Sequence, residues 1–193
     1  MQQDIKKTIV TQRFGVQRYF IVWVILSFLG WVFETLFVFV AFGRWNNQGF
    51  LTLPFCPIYG SSLMAVYWLA GTPDEPRGLL KNTGNGWKRY ALYALIAFLV
   101  PSIAELLVGF IFDKGFDVWL WSYQNLPLNL MGYVSLPVSL AWMALIFIFM
   151  KWGFPWLKGW VRKLSTSAVW TAFVVTAVAL ATDFAYNVIH RLL

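Results

Sequence analysis

Glu34, Glu105 and Asp183 each interrupt a long run of Phe, Val, Leu and Ala, where an apolar setting should exclude a carboxylate. A charge near the middle of a bilayer costs at least about 2.5–3.5 kcal/mol on insertion scales, so a carboxylate kept there is a functional candidate by default. Such a group can carry a proton or a cation, do acid–base work on a bound substrate, or accept hydrogen bonds from backbone N–H groups that lipid leaves unsatisfied. No Lys or Arg falls deep in the same runs to neutralise the three acids. The polar side chains available to support them are Asn47, Tyr59, Tyr123, Asn129 and Asn187, the last one helical turn after Asp183.

The elements that must hold these groups are membrane helices. The chain of 193 residues is 60% hydrophobic and 12% charged, against roughly 45–50% and 25% for a soluble domain. Apolar segments at about 19–42, 51–70, 88–112, 132–150 and 168–189 predict five transmembrane helices. The expected fold is an all-α integral membrane protein forming one membrane domain over 1–193, with 1–18 as a cytoplasmic or interfacial segment. The first apolar run is too long for the core of a signal peptide, and no small-residue cleavage site closes it. With one cysteine and one histidine, neither an intramolecular disulfide nor a zinc site can be built, and no metal or cofactor is assigned. Cys56 reads as a small packing residue, His190 as a solvated helix-end residue, and the Trp and Tyr of 119–123 as an interfacial belt.

The stretch Gly49-Phe50-Leu51-Thr52-Leu53-Pro54 returns as Gly132-Tyr133-Val134-Ser135-Leu136-Pro137. Each copy opens an apolar segment and follows another that carries a glutamate. The pattern predicts two repeated helical hairpins plus a fifth helix. Gly49, Pro54, Pro57, Gly132 and Pro137 predict breaks where the second and fourth helices begin, with 50–57 broken or re-entrant. Glu34 is then placed to cap the start of the second span and Glu105 that of the fourth, since a helix start presents unpaired N–H groups and a positive dipole end. For these glutamates bracing and direct chemistry stand side by side. Asp183 has no repeat partner, and the functional reading is preferred for it.

Orientation follows from the basic residues. With the N-terminus inside, twelve of the fifteen Lys and Arg fall in inside segments, and only Arg44, Lys114 and Arg191 fall outside. The positive-inside rule therefore predicts N-inside and C-outside, and accounts for the net charge of +7 without a nucleic-acid partner. In that orientation the three acids share one layer in the outer half, roughly two-thirds of the way across at about 1.5 Å rise per residue.

Gly30-Trp31-x-x-Glu34, Asn47-Gln48-Gly49-Phe50-Leu51 and Pro54-Phe55-Cys56-Pro57-Ile58-Tyr59-Gly60 carry a resemblance. With Glu105, Trp121-Ser122-Tyr123, Asn125-Leu126-Pro127-Leu128-Asn129 and Gly132, the chain resembles the ABC-transporter type IV membrane family (CmpB-like) over about residues 20–145. The family pattern usually has Arg at the position of Gln48 and Asp at that of Ser122, so this chain lacks both halves of any ion pair formed there. The resemblance implies a multi-pass component of the cell (plasma or inner) membrane, in contact with the lipid bilayer. The sequence contains no Walker motif, so ATP-driven work would need a separate ATPase or other membrane subunit.

Three functions are compatible with these features. The first is a membrane permease or transporter component with an outer-half carboxylate cluster. The second is an outer-leaflet enzyme acting on a lipid or lipid-linked substrate, although no nucleophile–base pair is recognisable. The third is a non-catalytic membrane scaffold subunit.

Overall fold

The computed structural model describes residues 14–43, 45, 49–84 and 86–191. Asn47 and Gln48 lie outside the described residues. The architecture is all-helical apart from one short hairpin. Helices α1 (Val16–Phe42), α2 (Pro57–Ala70), α3 (Trp87–Phe116), α4 (Leu136–Ile148), α5 (Phe154–Lys163) and α6 (Thr166–Arg191) follow in chain order. A π-helical turn, Phe149–Gly153, joins α4 to α5. Strands β1 (Asn129–Leu130) and β2 (Val134–Ser135) pair antiparallel just before α4, with Asn129 opposite Ser135.

Among the described residues four stretches are long and apolar enough to cross a bilayer: Val16–Val40, Trp87–Phe116, Leu136–Lys163 and Thr166–Arg191. The segment expected as a second span, 51–70, is helical only from Pro57, over 14 residues, or about 21 Å at 1.5 Å per residue. Pro54 and Pro57 explain the shortening, because a proline lacks the N–H a helix interior needs and disfavours helical backbone before it. Pro57 opens α2, the position in a helix where proline is welcome. Pro137 likewise sits in the first turn of α4 and starts that helix instead of breaking it. Ahead of it residues 132–135 belong to the hairpin, so the fourth helix begins at Leu136 and not near 132. That helix also runs on past 150, as far as Lys163. Phe154, Leu157 and Val161 recur at helical spacing and bury one face there, a periodicity masked by the surrounding Trp, Lys and Arg.

The outer faces of the helices are strongly apolar, and the interior mixes apolar with polar side chains. Along α3 every fourth residue is buried: Tyr93, Ala97, Pro101, Glu105, Gly109 and Asp113. Leu92, Leu95, Leu99, Ile103, Leu107 and Phe110 are exposed on its other faces, as a lipid-facing helix requires. α2 packs against α1 and α3, α4 against α3, and both α5 and α6 against α1. The larger apolar core joins Leu26 of α1, Met64 and Tyr67 of α2, Tyr93 of α3, and Met150, Phe154 and Val161 beyond α4. At that end Arg18 donates to the Leu164 carbonyl at 3.0 Å, and Lys158 Nζ meets the Tyr67 hydroxyl at 2.6 Å. A second small core of Phe50, Leu51 and Phe55 lies near the opposite ends of α3 and α6.

Close approach of α1 and α2 depends on two glycines. A Cβ at Gly60 would lie 2.1 Å from Ser27 Oγ and 2.7 Å from the Trp23 carbonyl oxygen, and one at Gly30 would lie 2.4 Å from Tyr59 Cβ. The Trp23 obstacle is backbone, so α1 and α2 must separate if Gly60 gains a side chain. Gly60→Val should therefore destabilise the protein by about 1–3 kcal/mol or more, read by SDS-induced unfolding in micelles. Gly84→Val, where nothing lies within 4 Å of an added Cβ, should stay within about 0.5 kcal/mol. Equal stability of the two variants would contradict this packing.

Candidate functional site

A cavity of about 610 Å³ opens among α1, α2, α3 and α4, with the 117–128 loop and residues 49–51 closing part of its wall. Most of the wall is apolar, with Phe33, Ile58, Leu63, Val108 and Leu145 among its residues. The polar groups gather on one part of it: Glu34, Tyr59, Glu105 and Tyr123, beside Cys56 and Trp142.

Each glutamate reaches this wall by a short chain of causes. Glu34 is held on α1 opposite the start of α2, where the Cys56 N–H donates to the Ser27 carbonyl at 3.2 Å. The Cys56 thiol donates to Glu34 Oε2 at 3.6 Å, and the Tyr59 hydroxyl faces the same carboxylate. Gly49 takes φ +90°, and a Cβ there would lie 2.8 Å from Cys56 Sγ, so both backbone and space call for glycine. Glu105 lies on the buried row of α3 and is 8% exposed. Its Oε1 accepts from the Tyr123 hydroxyl at 3.3 Å, and the Trp142 indole approaches the same group. Its Oε2 is buried without a hydrogen-bond partner. Tyr59 and Trp142 bring the two halves together, their ring centroids 5.0 Å apart. The Tyr123 hydroxyl has its pKa pushed well above the ordinary tyrosine value, first by burial and then by the negative charges of Glu105 and Glu34. It therefore remains a donor at ordinary pH.

Asp183 does something different. Its Oδ2 accepts from the backbone N–H of Thr52 at 3.0 Å and of Leu53 at 3.1 Å. Asn187 donates to Asp183 Oδ1 at 3.2 Å and to Thr52 Oγ1 at 3.0 Å. The pair on α6 thus binds the non-helical segment ahead of α2, the capping duty that the sequence suggested for Glu34. Among the described residues neither Glu34 nor Glu105 accepts from a helix-start N–H; their partners are side chains. At the second copy of the repeat the corresponding brace is Asn129, whose Oδ1 accepts from the Gly132 N–H at 3.1 Å while its Nδ2 donates to the Leu126 carbonyl at 2.9 Å. The Tyr123 N–H donates to the Gly132 carbonyl at 2.8 Å, and Trp121 Nε1 to the Tyr133 carbonyl at 2.9 Å, so the loop that carries Tyr123 is pinned to the hairpin.

Two features escaped the sequence reading. Trp142 stands five residues after Pro137, as Tyr59 stands five after Pro54, so the repeat itself held that signal. Asp113, one turn beyond Gly109 on the buried row of α3, accepts from the Tyr133 hydroxyl and pairs with Lys114 at 2.8 Å. Ser122 Oγ accepts only a long contact from the Gln124 N–H at 3.4 Å. His190 is exposed and stacks on Tyr186 at 4.1 Å. Among the described residues no group of three His, Cys, Asp or Glu side chains is gathered for a metal.

The bracing geometry of Asp183 has a measurable consequence. Asp183→Ala removes the acceptor of two backbone donors and should cost about 2–4 kcal/mol, each charge-assisted bond being worth about 1.5–3 kcal/mol. Asp183→Asn keeps an oxygen acceptor and should lose clearly less. Unfolding titrations of the two variants check this, and equal stability of Asp183→Ala and the parent chain would refute the brace.

Residues 21–188 match the pattern of the family described as Putative ABC-transporter type IV, and the chain belongs to that family. No curated protein and no solved structure matches it.

Proposed function

We propose, from membership of this family, that the chain is the membrane component of a transporter and that Glu34 and Glu105 form its working site. The observation that carries the reading is the cavity of about 610 Å³ between the helices, with both glutamates and their aromatic neighbours on its wall. Protonatable groups in a largely apolar cavity between membrane helices are what movement of a proton, a cation or a charged solute requires. The enzyme reading has less support: the Cys56 thiol is buried and lies against the Glu34 carboxylate, and a neighbouring negative charge opposes the thiolate that a nucleophilic cysteine needs. No observation favours a purely scaffolding role.

The topology that goes with this reading has five crossings. The 14 residues of α2 fall short of a bilayer by themselves, and the braced segment 49–56 completes the passage. Broken helices of this kind are tolerated at membrane depth when protein covers them. The two copies of the hexapeptide, each followed five residues later by Tyr59 or Trp142, then relate two hairpins about an axis along the membrane normal. The basic end, with Arg77, Lys81, Arg89, Lys151 and Lys158, faces the cytoplasm, where a separate ATPase subunit would dock.

Two measurements test this. In a Cys56→Ser background, Trp45→Cys and Asn125→Cys should label with a membrane-impermeant maleimide on intact cells, and Thr83→Cys only after permeabilisation. Labelling of positions 45 and 83 from the same side would remove the crossing through α2. In proteoliposomes carrying the chain with whatever subunits co-purify, solid-supported-membrane recordings should show charge movement that Glu34→Gln plus Glu105→Gln reduces about tenfold or more, with folding unchanged. Currents from that double variant equal to those of the parent would defeat the transport site.

A further inference from the structure

We propose that the cavity binds a protonated amine carried on an apolar body, its ammonium group donating to Glu105 and lying beside Glu34. The inference deepens the reading of this cavity as the working site and rests on it. Glu105 Oε2 is buried and has no donor, while Oε1 is already engaged by Tyr123. A buried carboxylate oxygen is costly to leave unpaired, so the site is short of one hydrogen-bond donor. Glu34 has the Tyr59 hydroxyl facing it and the Cys56 thiol, a weak donor at 3.6 Å. Among the described residues no Lys or Arg lines the cavity to supply a positive charge.

Charge and shape select the ligand class. Two carboxylates repel an anion, and they offer a neutral acceptor nothing to bind. A divalent ion wants about six or more oxygen ligands in a closed shell, whereas this wall is mainly aliphatic and aromatic. Tyr59, Trp142 and Phe33 line the same space, and aromatic rings attract a cation through their quadrupoles. The volume falls inside the range of about 300–1,000 Å³ usual for small-molecule sites. An amine with at least one N–H satisfies the orphan oxygen, whereas a quaternary ammonium supplies only the charge.

The test is equilibrium binding by isothermal titration calorimetry on the full chain in neutral maltoside detergent, near neutral pH. The probes are 4-phenylbutylamine, its N,N,N-trimethyl analogue and 4-phenylbutan-1-ol. The amine should bind saturably, about tenfold or more tighter than the alcohol, with the trimethyl analogue weaker than the amine. Glu105→Gln should weaken the amine about tenfold or more and the alcohol clearly less, since the alcohol O–H donates without a charge. Glu34→Gln should weaken the amine in the same direction, and carries the test if Glu105→Gln fails to fold. Absence of saturable amine binding, an alcohol as tight as the amine, or indifference of the amine to both variants would each overturn the proposal. The last two results would point to a site whose carboxylates hold only a proton. Binding is measured without a gradient or a partner subunit, so its failure leaves the charge-movement recordings to judge transport separately.

Discussion

The two hydrogen bonds from the Thr52 and Leu53 N–H groups to Asp183 make the rest of this architecture possible. Backbone polar groups of an irregular segment have no helical ladder to satisfy them, and where lipid replaces water they need other partners. Residues 49–56 are such a segment. Asp183 and Asn187 from α6 and the Ser27 carbonyl from α1 take up the load. With the brace in place α2 starts at Pro57, Cys56 is set against Glu34, and Tyr59 turns toward Trp142. α6 buries little surface of its own, Val169 and Asn187 being its fully buried residues, so a large part of its contribution is this one polar contact.

Once α6 satisfies the backbone, the two glutamates are released from that duty. The same residue type in the same kind of apolar run thus ends in two different settings. Asp183 is consumed by bracing, with both carboxylate oxygens occupied. Glu105 keeps one oxygen free of partners in a buried position, and Glu34 has side-chain neighbours only. An unpaired polar atom in an interior is costly unless something else uses it. Asp183 thus differs from the two glutamates in accepting from backbone N–H groups, whereas their partners are side chains.

Repetition supplies the frame and asymmetry supplies the site. Both copies of the hexapeptide begin with a glycine at positive φ, Gly49 at 90° and Gly132 at 77°, and both lead into a helix through proline. They diverge between those points. The first remains irregular and is clamped by a distant helix, whereas the second folds back as a local hairpin held by Asn129. A hairpin satisfies its own ladder and needs no outside clamp, which is why one brace lies 131 residues away in sequence and the other three.

The sequence by itself determined that the chain is helical and built for a membrane, where the glutamates lie, and that no regular helix runs unbroken through 50–57. Those properties are set locally, by apolar run length, by proline's missing N–H and by charge in the wrong solvent. It also held, unread, the continuation of the α3 face to Asp113 and the matched positions of Tyr59 and Trp142. The tertiary structure decided which carboxylate braces and which is left over. Glu34 lies nearer than Asp183 to Thr52 in sequence, yet α6 delivers Asp183 there because its packing against α1 fixes the register. Likewise the second apolar segment looked long enough to span, and only the fold shows its first part non-helical and held by contacts made from elsewhere. Partner choice across more than a hundred residues depends on helix packing, and no local pattern of residue types encodes it.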